Sequence, residues 1–157
     1  MEIKKILAPT DLSELSLIGV RGAVELAKNI DAEVIVYYVL CLDEFIRFEL
    51  SHVKPVLLAK LLQKHRSEVE AILESHLGDV LSSVRVRTVV ELGIPENNIV
   101  EKAQHEDVDL IVISTHGRTG LSHVFTGSVT ESVVRLAPCP VLSIRPDAVK
   151  RAVSAAA

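Results

Sequence analysis

The 157-residue chain has no tryptophan, only 3% aromatic residues and just two cysteines. Nucleobases stack on aromatic faces, so a chain this poor in them offers no platform for single-stranded nucleic acid. A formal charge of −4 supplies no basic field for nucleic acid or an anionic membrane either. Cys41 and Cys139 lie in no C-x-x-C or Cys/His ligand spacing, which excludes a disulfide framework and a zinc cage and points to a reducing, cytoplasmic setting. No run approaches the roughly 18 uncharged apolar residues of a membrane span, and Met1–Leu7 contains no apolar core of an export signal. Internal repeats and low-complexity linkers are missing as well.

The chain does have apolar residues, at 48%, with 24% charged residues to solvate the surface, which is enough for one globular core. One domain is expected over residues 1–146, followed by a small, near-neutral flexible tail over 147–157. Five strand-like runs alternate with helical patterns: 3–8, 34–40, 84–90, 110–113 and 141–144. Leu17, Val20, Val24 and Ala27 recur at helical spacing between the first two strands. Leu58, Leu61, Leu62, Val69, Ile72, Leu73 and Leu77 do so after the second, and residues 96–106 and 128–137 supply two shorter helices. Strand, helix, strand repetition predicts βαβ units and a mainly parallel sheet.

Strands covered on both faces read as unbroken apolar runs, whereas edge strands alternate or carry proline. The third strand alternates Val84 and Val86 with Arg85 and Arg87, and the fifth opens on Pro138-Cys139-Pro140. Both belong at edges, which predicts a Rossmann-like α/β fold: an open, five-stranded parallel sheet of order 3-2-1-4-5 with helices on both faces. Ligands of such sheets bind beyond the strands' carboxyl ends where the winding reverses, here beside strand one. The loops to inspect are Ala8-Pro9-Thr10-Asp11 and residues 114–127. The stretch from Cys41 to Lys54 breaks the apolar rhythm, and two readings stand: a lid or partner contact, or an ordinary surface connection.

The segment 114–131 carries most of the chemistry. A strand leads in and a helix begins at its end, so the helix's first N–H groups and its dipole favour an anion there. Gly117 and Gly127 let backbone approach phosphate oxygens closely, and Ser128 and Thr130 add hydroxyls. The spacing is neither a Walker loop nor G-x-G-x-x-G. The competing reading makes Ser128-Val-Thr-Glu131 a capping box that satisfies the helix's own N–H groups. Asp11 is open to the same alternative, since Asp11-Leu-Ser-Glu14 also suits the start of the first helix. His116 and His123 have no assignable nucleophile or acidic partner, so no catalytic residue is read.

These residues resemble the ATP-binding branch of the universal stress protein family. That branch carries Gly, two residues, Gly, nine residues, Gly, then Ser or Thr, after the fourth strand. Here the second glycine is Gly117, nine residues run from Arg118 to Thr126, and Gly127-Ser128 closes the pattern, with Ser114 in place of the first glycine. Lys5-Ile-Leu-Ala-Pro9-Thr10-Asp11 is similar to the family's opening strand and Asp loop, and Ala137-Pro-Cys-Pro-Val-Leu142 to its closing strand. The resemblance implies a pocket lined by Pro9, Thr10 and Asp11, with Asp11 near the ribose or, through Mg²⁺, the phosphates. It implies that the Val39 backbone meets adenine, that Ser114, Gly117 and Arg118 border ribose and phosphate, and that Gly127, Ser128, Val129 and Thr130 wrap the phosphates. Ser114 brings bulk where bare backbone is usual.

The implied function is an ATP-binding stress-response protein that uses ATP, or AMP or ADP in its place, with Mg²⁺ carried by the nucleotide. Binding rather than turnover is the expectation. The alternatives are a slow ATPase or phosphotransferase, and a dimeric interaction module with an empty cleft. The expected partners are an adenine nucleotide, an unidentified protein and a second copy, with no nucleic acid or membrane. The second copy would pair antiparallel through Val141, Leu142, Ser143 and Ile144, because the fifth strand is a short apolar edge.

Overall fold

In the computed structural model, which describes residues 2–41, 54–115 and 128–145, the apolar runs pair in the expected order. Strand β1 (Lys5–Thr10) lies between β2 (Glu33–Leu40) and β4 (Leu110–Ser114), with β3 (Arg85–Leu92) and β5 (Val141–Ile144) at the edges, all parallel. Helices α1 (Glu14–Ile30) and α2 (Pro55–Leu81) cover one face, and α3 (Pro95–His105) and α4 (Ser128–Leu136) the other. Residues 42–53, where a lid was weighed against a surface connection, lie outside the described residues, as does the tail from 146 onward.

The period of two along each strand divides the core. Ile6, Ala8, Val34, Val36, Leu110 and Val112 meet the α1 stripe Leu17, Val20, Val24 and Ala27 and the α2 residues Val69, Leu73 and Leu77. Leu7, Ile35, Tyr37, Ile111 and Ile113 face Ile99 and Ala103 of α3 and Val133 of α4. Every residue of β4 is buried, as double coverage requires, whereas β3 and β5 are only partly covered. Ser13 caps α1, its hydroxyl oxygen accepting from the Ser16 N–H, and Asp31 ends the helix in the left-handed conformation.

Two strands run two residues beyond their sequence reading, each for a tertiary reason. Strand β3 runs to Leu92 because β2 continues to Leu40 and keeps it paired. Strand β1 takes in Pro9 and Thr10, which the sequence suggests are loop, although proline is unusual inside a sheet. Lys4 O accepts from Glu33 N on the β2 side and Lys5 O accepts from Asp109 N on the β4 side, so alternation turns the Pro9 backbone toward β4. The proline therefore costs the ladder a donor only on the β4 side, where pairing stops at Leu7↔Ile111, while β1–β2 pairing continues to Thr10↔Tyr38.

At the other end of the sheet Arg87 joins β3 to Glu33 (3.2 Å) and Glu106 (3.0 Å). The Arg87 guanidinium, bonded to the Glu106 carboxylate, holds that group below the ordinary carboxylate value of 4.5. The stability it contributes is present above the ordinary value and lost as pH falls through the lowered one. Glu106→Gln is therefore expected to lose stability near neutral pH and to show a shallower decline below about pH 4.5, measured as urea midpoints across the acid range.

Candidate functional site

Winding reverses beside β1, and there the ladder opens. With no N–H, Pro9 has nothing to donate toward β4, so β1–β4 pairing ends at Leu7↔Ile111 while each strand continues toward its end. Open α/β sheets take ligands in the crevice outside the carboxyl ends of their strands at such a switch point. Strand β2 outruns β1 by two residues. Because Leu40 O accepts from Gly93 N on the β3 side, the Val39 backbone faces the β1 side, beyond the last paired residue. Pro9 and Val39 thus lie at the same, carboxyl end of the sheet.

The floor of the crevice is built by the turn from β1 into α1. Thr10 is buried, its Oγ1 accepting from Leu12 N (3.0 Å) and lying 2.8 Å from Ser16 Oγ. Ser16 Oγ donates its one proton to Ser13 O (3.0 Å), which makes Thr10 the donor to Ser16. Asp11 Oδ1 accepts from both Ser13 N (3.0 Å) and Ser13 Oγ (2.6 Å). The cap of α1 is Ser13, and Asp11 sits one step outside it as an Asx-turn acceptor that orients the cap. Leu12 has φ 65°, a left-handed conformation strained for a leucine, and hydrogen bonds on both sides hold it there.

The opposite wall is the end of β4 with the start of α4. The Ser114 side chain turns toward α1, where Gly19 leaves room: a Cβ on Gly19 would lie 3.4 Å from Ser114 Cβ and 2.9 Å from Ser114 N. The extra bulk relative to a motif glycine is therefore directed toward Gly19 of α1. Thr130, buried in the first turn of α4, donates its hydroxyl proton to Ser114 O at 2.9 Å. Glu131, the acid of the capping-box reading, binds Arg135 at 2.7 Å. Ser128 is exposed and Val129 half-buried at the helix start. Gly117, Arg118 and Gly127, with His116 and His123, lie outside the described residues.

The structure thus brings Pro9, Thr10, Asp11, Val39, Ser114 and the first turn of α4 to one end of the sheet. Sequence reasoning missed Ser16 as a structural support of this site. Its signal was a lone polar residue on the otherwise apolar stripe of α1. It also missed a polar cluster behind β2, where Tyr37 donates to Glu91 (2.7 Å) and Lys102 pairs with Glu91 and lies 5.7 Å from the Tyr37 ring centre. Burial, reinforced by the Glu91 hydrogen bond, raises the Tyr37 hydroxyl far above its usual range. Burial likewise raises the Cys139 thiol, which disfavours a reactive thiolate.

Among the described residues no group of three His, Cys, Asp or Glu side chains is arranged to hold a metal. No described helix is long and apolar enough to cross a membrane. A cavity of about 550 Å³ opens at the amino ends of the strands, lined by residues including Lys4, Lys5, Asp31, Glu33, Arg85 and Asp109. Asp109 there accepts from the Lys4 and Lys5 N–H groups, and Arg85 pairs with Asp31.

Comparison with known proteins agrees with this architecture. A model of the universal stress protein family matches residues 2–145. The chain belongs to that family. It is 36% identical over 142 residues to universal stress protein MJ0531 of Methanocaldococcus jannaschii, covering 90% of this chain and 82% of that one. The solved universal stress protein UspA of Lactobacillus plantarum superposes with a TM-score of 0.72 at 27% identity, over 92% of this chain and 99% of the other. A universal stress protein solved in complex with cAMP has the same fold, with a TM-score of 0.66, 20% identity and coverage of 92% and 98%.

Proposed function

We propose that this universal stress protein binds an adenine nucleotide, ATP with Mg²⁺, in the crevice between β1 and β4, and that occupancy alters the surface offered to partners. The observation that carries this reading is the end of β1–β4 pairing at Leu7↔Ile111, with the amino end of α4 held against the last residue of β4. The Val39 backbone would meet the base, and Pro9, Thr10 and Asp11 would line the pocket, with Asp11 near the ribose or, through Mg²⁺, the phosphates. Ser114, Gly117 and Arg118 would border ribose and phosphate. Gly127, Ser128, Val129 and Thr130 would surround the phosphates, where backbone N–H groups and the helix dipole favour negative charge. The complex of a protein of this fold with cAMP, an adenine nucleotide, agrees with this assignment.

Calorimetric titration with ATP and Mg²⁺, beside mass spectrometry of small molecules released from freshly purified protein, tests the proposal directly. Saturable binding of an adenine nucleotide supports it, and absence of both signals overturns it. Phosphate release above a protein-free control, lost in Gly127→Val, would move the assignment to a slow ATPase.

Assembly follows from the two edges. Strand β3 carries Arg85, Arg87 and Glu91, charges that discourage pairing with another sheet. Strand β5 is apolar, with Leu142 44% exposed and, on the adjacent α4, Val134 and Leu136 more than half exposed. Ile144 O accepts from Thr115 N, so Ile144 faces β4 and alternation points the Val141 and Ser143 backbones outward. A two-fold dimer with antiparallel β5 strands is expected. Light scattering should give twice the chain mass for the wild type and a folded monomer for Ser143→Pro, which removes an outward donor.

A further inference from the structure

We infer that Thr130 is a positioning residue of the nucleotide site, one that fixes the first turn of α4 through Ser114 instead of touching the ligand with its hydroxyl; the inference rests on the nucleotide reading of the crevice. A threonine hydroxyl has one proton, and here it goes to Ser114 O at 2.9 Å between two buried residues. Thr115 N donates to Ile144 O on the β5 side, so the Ser114 backbone faces β1, on the stretch where β1 no longer pairs with β4. Helix α4 therefore holds a carbonyl that an unbroken ladder would have given to β1.

Ser114 is a firm point of attachment. Gly19 packs against it from α1, and the next residue, Thr115, binds Ile144 O through its N–H (2.9 Å) and its hydroxyl (3.4 Å). Helix α4 is short, nine residues, and its buried residues are Thr130 and Val133. One of its two buried anchors is thus a single hydrogen bond, located where the helix's N–H groups must be aimed. An oriented helix amino end acts on the charged part of a nucleotide and leaves the base alone. Removing the bond should accordingly weaken phosphate binding selectively.

The test compares wild type, Thr130→Val and Thr130→Ser, reading calorimetric affinities for Mg²⁺-ATP and for adenosine, and hydrogen exchange of the Ser132 to Val134 amides without ligand. For Thr130→Val, ATP affinity is expected to fall about tenfold, the scale of one lost hydrogen bond, with adenosine affinity essentially unchanged and amide exchange faster. Thr130→Ser keeps the hydroxyl and should restore all three readings. Thr130→Ala gives the same contrast if the valine variant does not fold. Loss of ATP affinity with unchanged exchange would overturn the inference, because the hydroxyl would then contact ligand directly. Faster exchange with ATP affinity intact would overturn it too, leaving a purely structural bond. A wild type that binds neither ATP nor adenosine removes the nucleotide reading itself, and this inference with it.

Discussion

One millimolar ATP with Mg²⁺ is expected to raise the melting temperature by about 5 to 10 °C. A dissociation constant of about 10 µM would make that concentration worth roughly 2.7 kcal/mol, since only the folded chain presents the crevice. For a domain of this size each kcal/mol moves the midpoint by about 2 to 4 °C. Gly127→Val should abolish the shift, because the family pattern puts this glycine against phosphate and a β-branched side chain there would occupy the ligand's space. Glu131→Ala should retain it, since the Glu131 carboxylate is bonded to Arg135. A differential scan of the three proteins with and without nucleotide checks this, and an unshifted wild type would leave the dimeric module with an empty cleft as the surviving reading.

Gly19→Val is expected to be the more damaging change to the fold, destabilising it by about 3 kcal/mol or more. A Cβ at this position would lie 2.9 Å from Ser114 N, 3.4 Å from Ser114 Cβ and 3.5 Å from Ile113 C. Two of these three are backbone atoms of a wholly buried strand, which cannot move aside without shifting the sheet. Gly22, one turn further along α1, gives the control. A Cβ there meets the Ile144 Cδ1 atom, the far end of a flexible side chain on an edge strand. Gly22→Ala should stay within about 1 kcal/mol of wild type, because the rotation asked of Ile144 is offset by alanine's better helix propensity. Urea unfolding resolves the two. Because Gly19 holds Ser114 from behind, Gly19→Ala should also weaken ATP binding while Gly22→Ala leaves it unchanged.

The architecture was legible in the amino-acid sequence. Continuous apolar runs marked β2 and β4 as internal, the alternation of arginine with valine marked β3 as an edge, and the prolines around Cys139 marked β5 as the other. Those signals are local, because one- or two-sided burial dictates which residues a strand can carry. Strand order alone pointed to the loops that follow β1 and β4, Ala8 to Asp11 and residues 114–127, because the switch point follows from it, whereas Val39 entered only through the family resemblance.

Roles within that set depended on which way each group faces, and only the packed structure decides that. Asp11 and Ser13 are equally good caps in sequence, and the cap fell to Ser13 because the left-handed Leu12 carries the chain past Asp11 before α1 begins. Thr130 has the hydroxyl of a phosphate ligand, yet its proton goes to Ser114, a residue sixteen positions away that only the β4–α4 packing brings within reach. Pro9 has the same missing N–H in any context. Strand alternation turned that gap toward β4, where it coincides with the end of β1–β4 pairing. A one-residue change of register would have turned it toward β2 instead. Residue identity therefore determined which groups were available, and register with packing determined where each was aimed, since orientation arises from contacts between segments far apart in the chain.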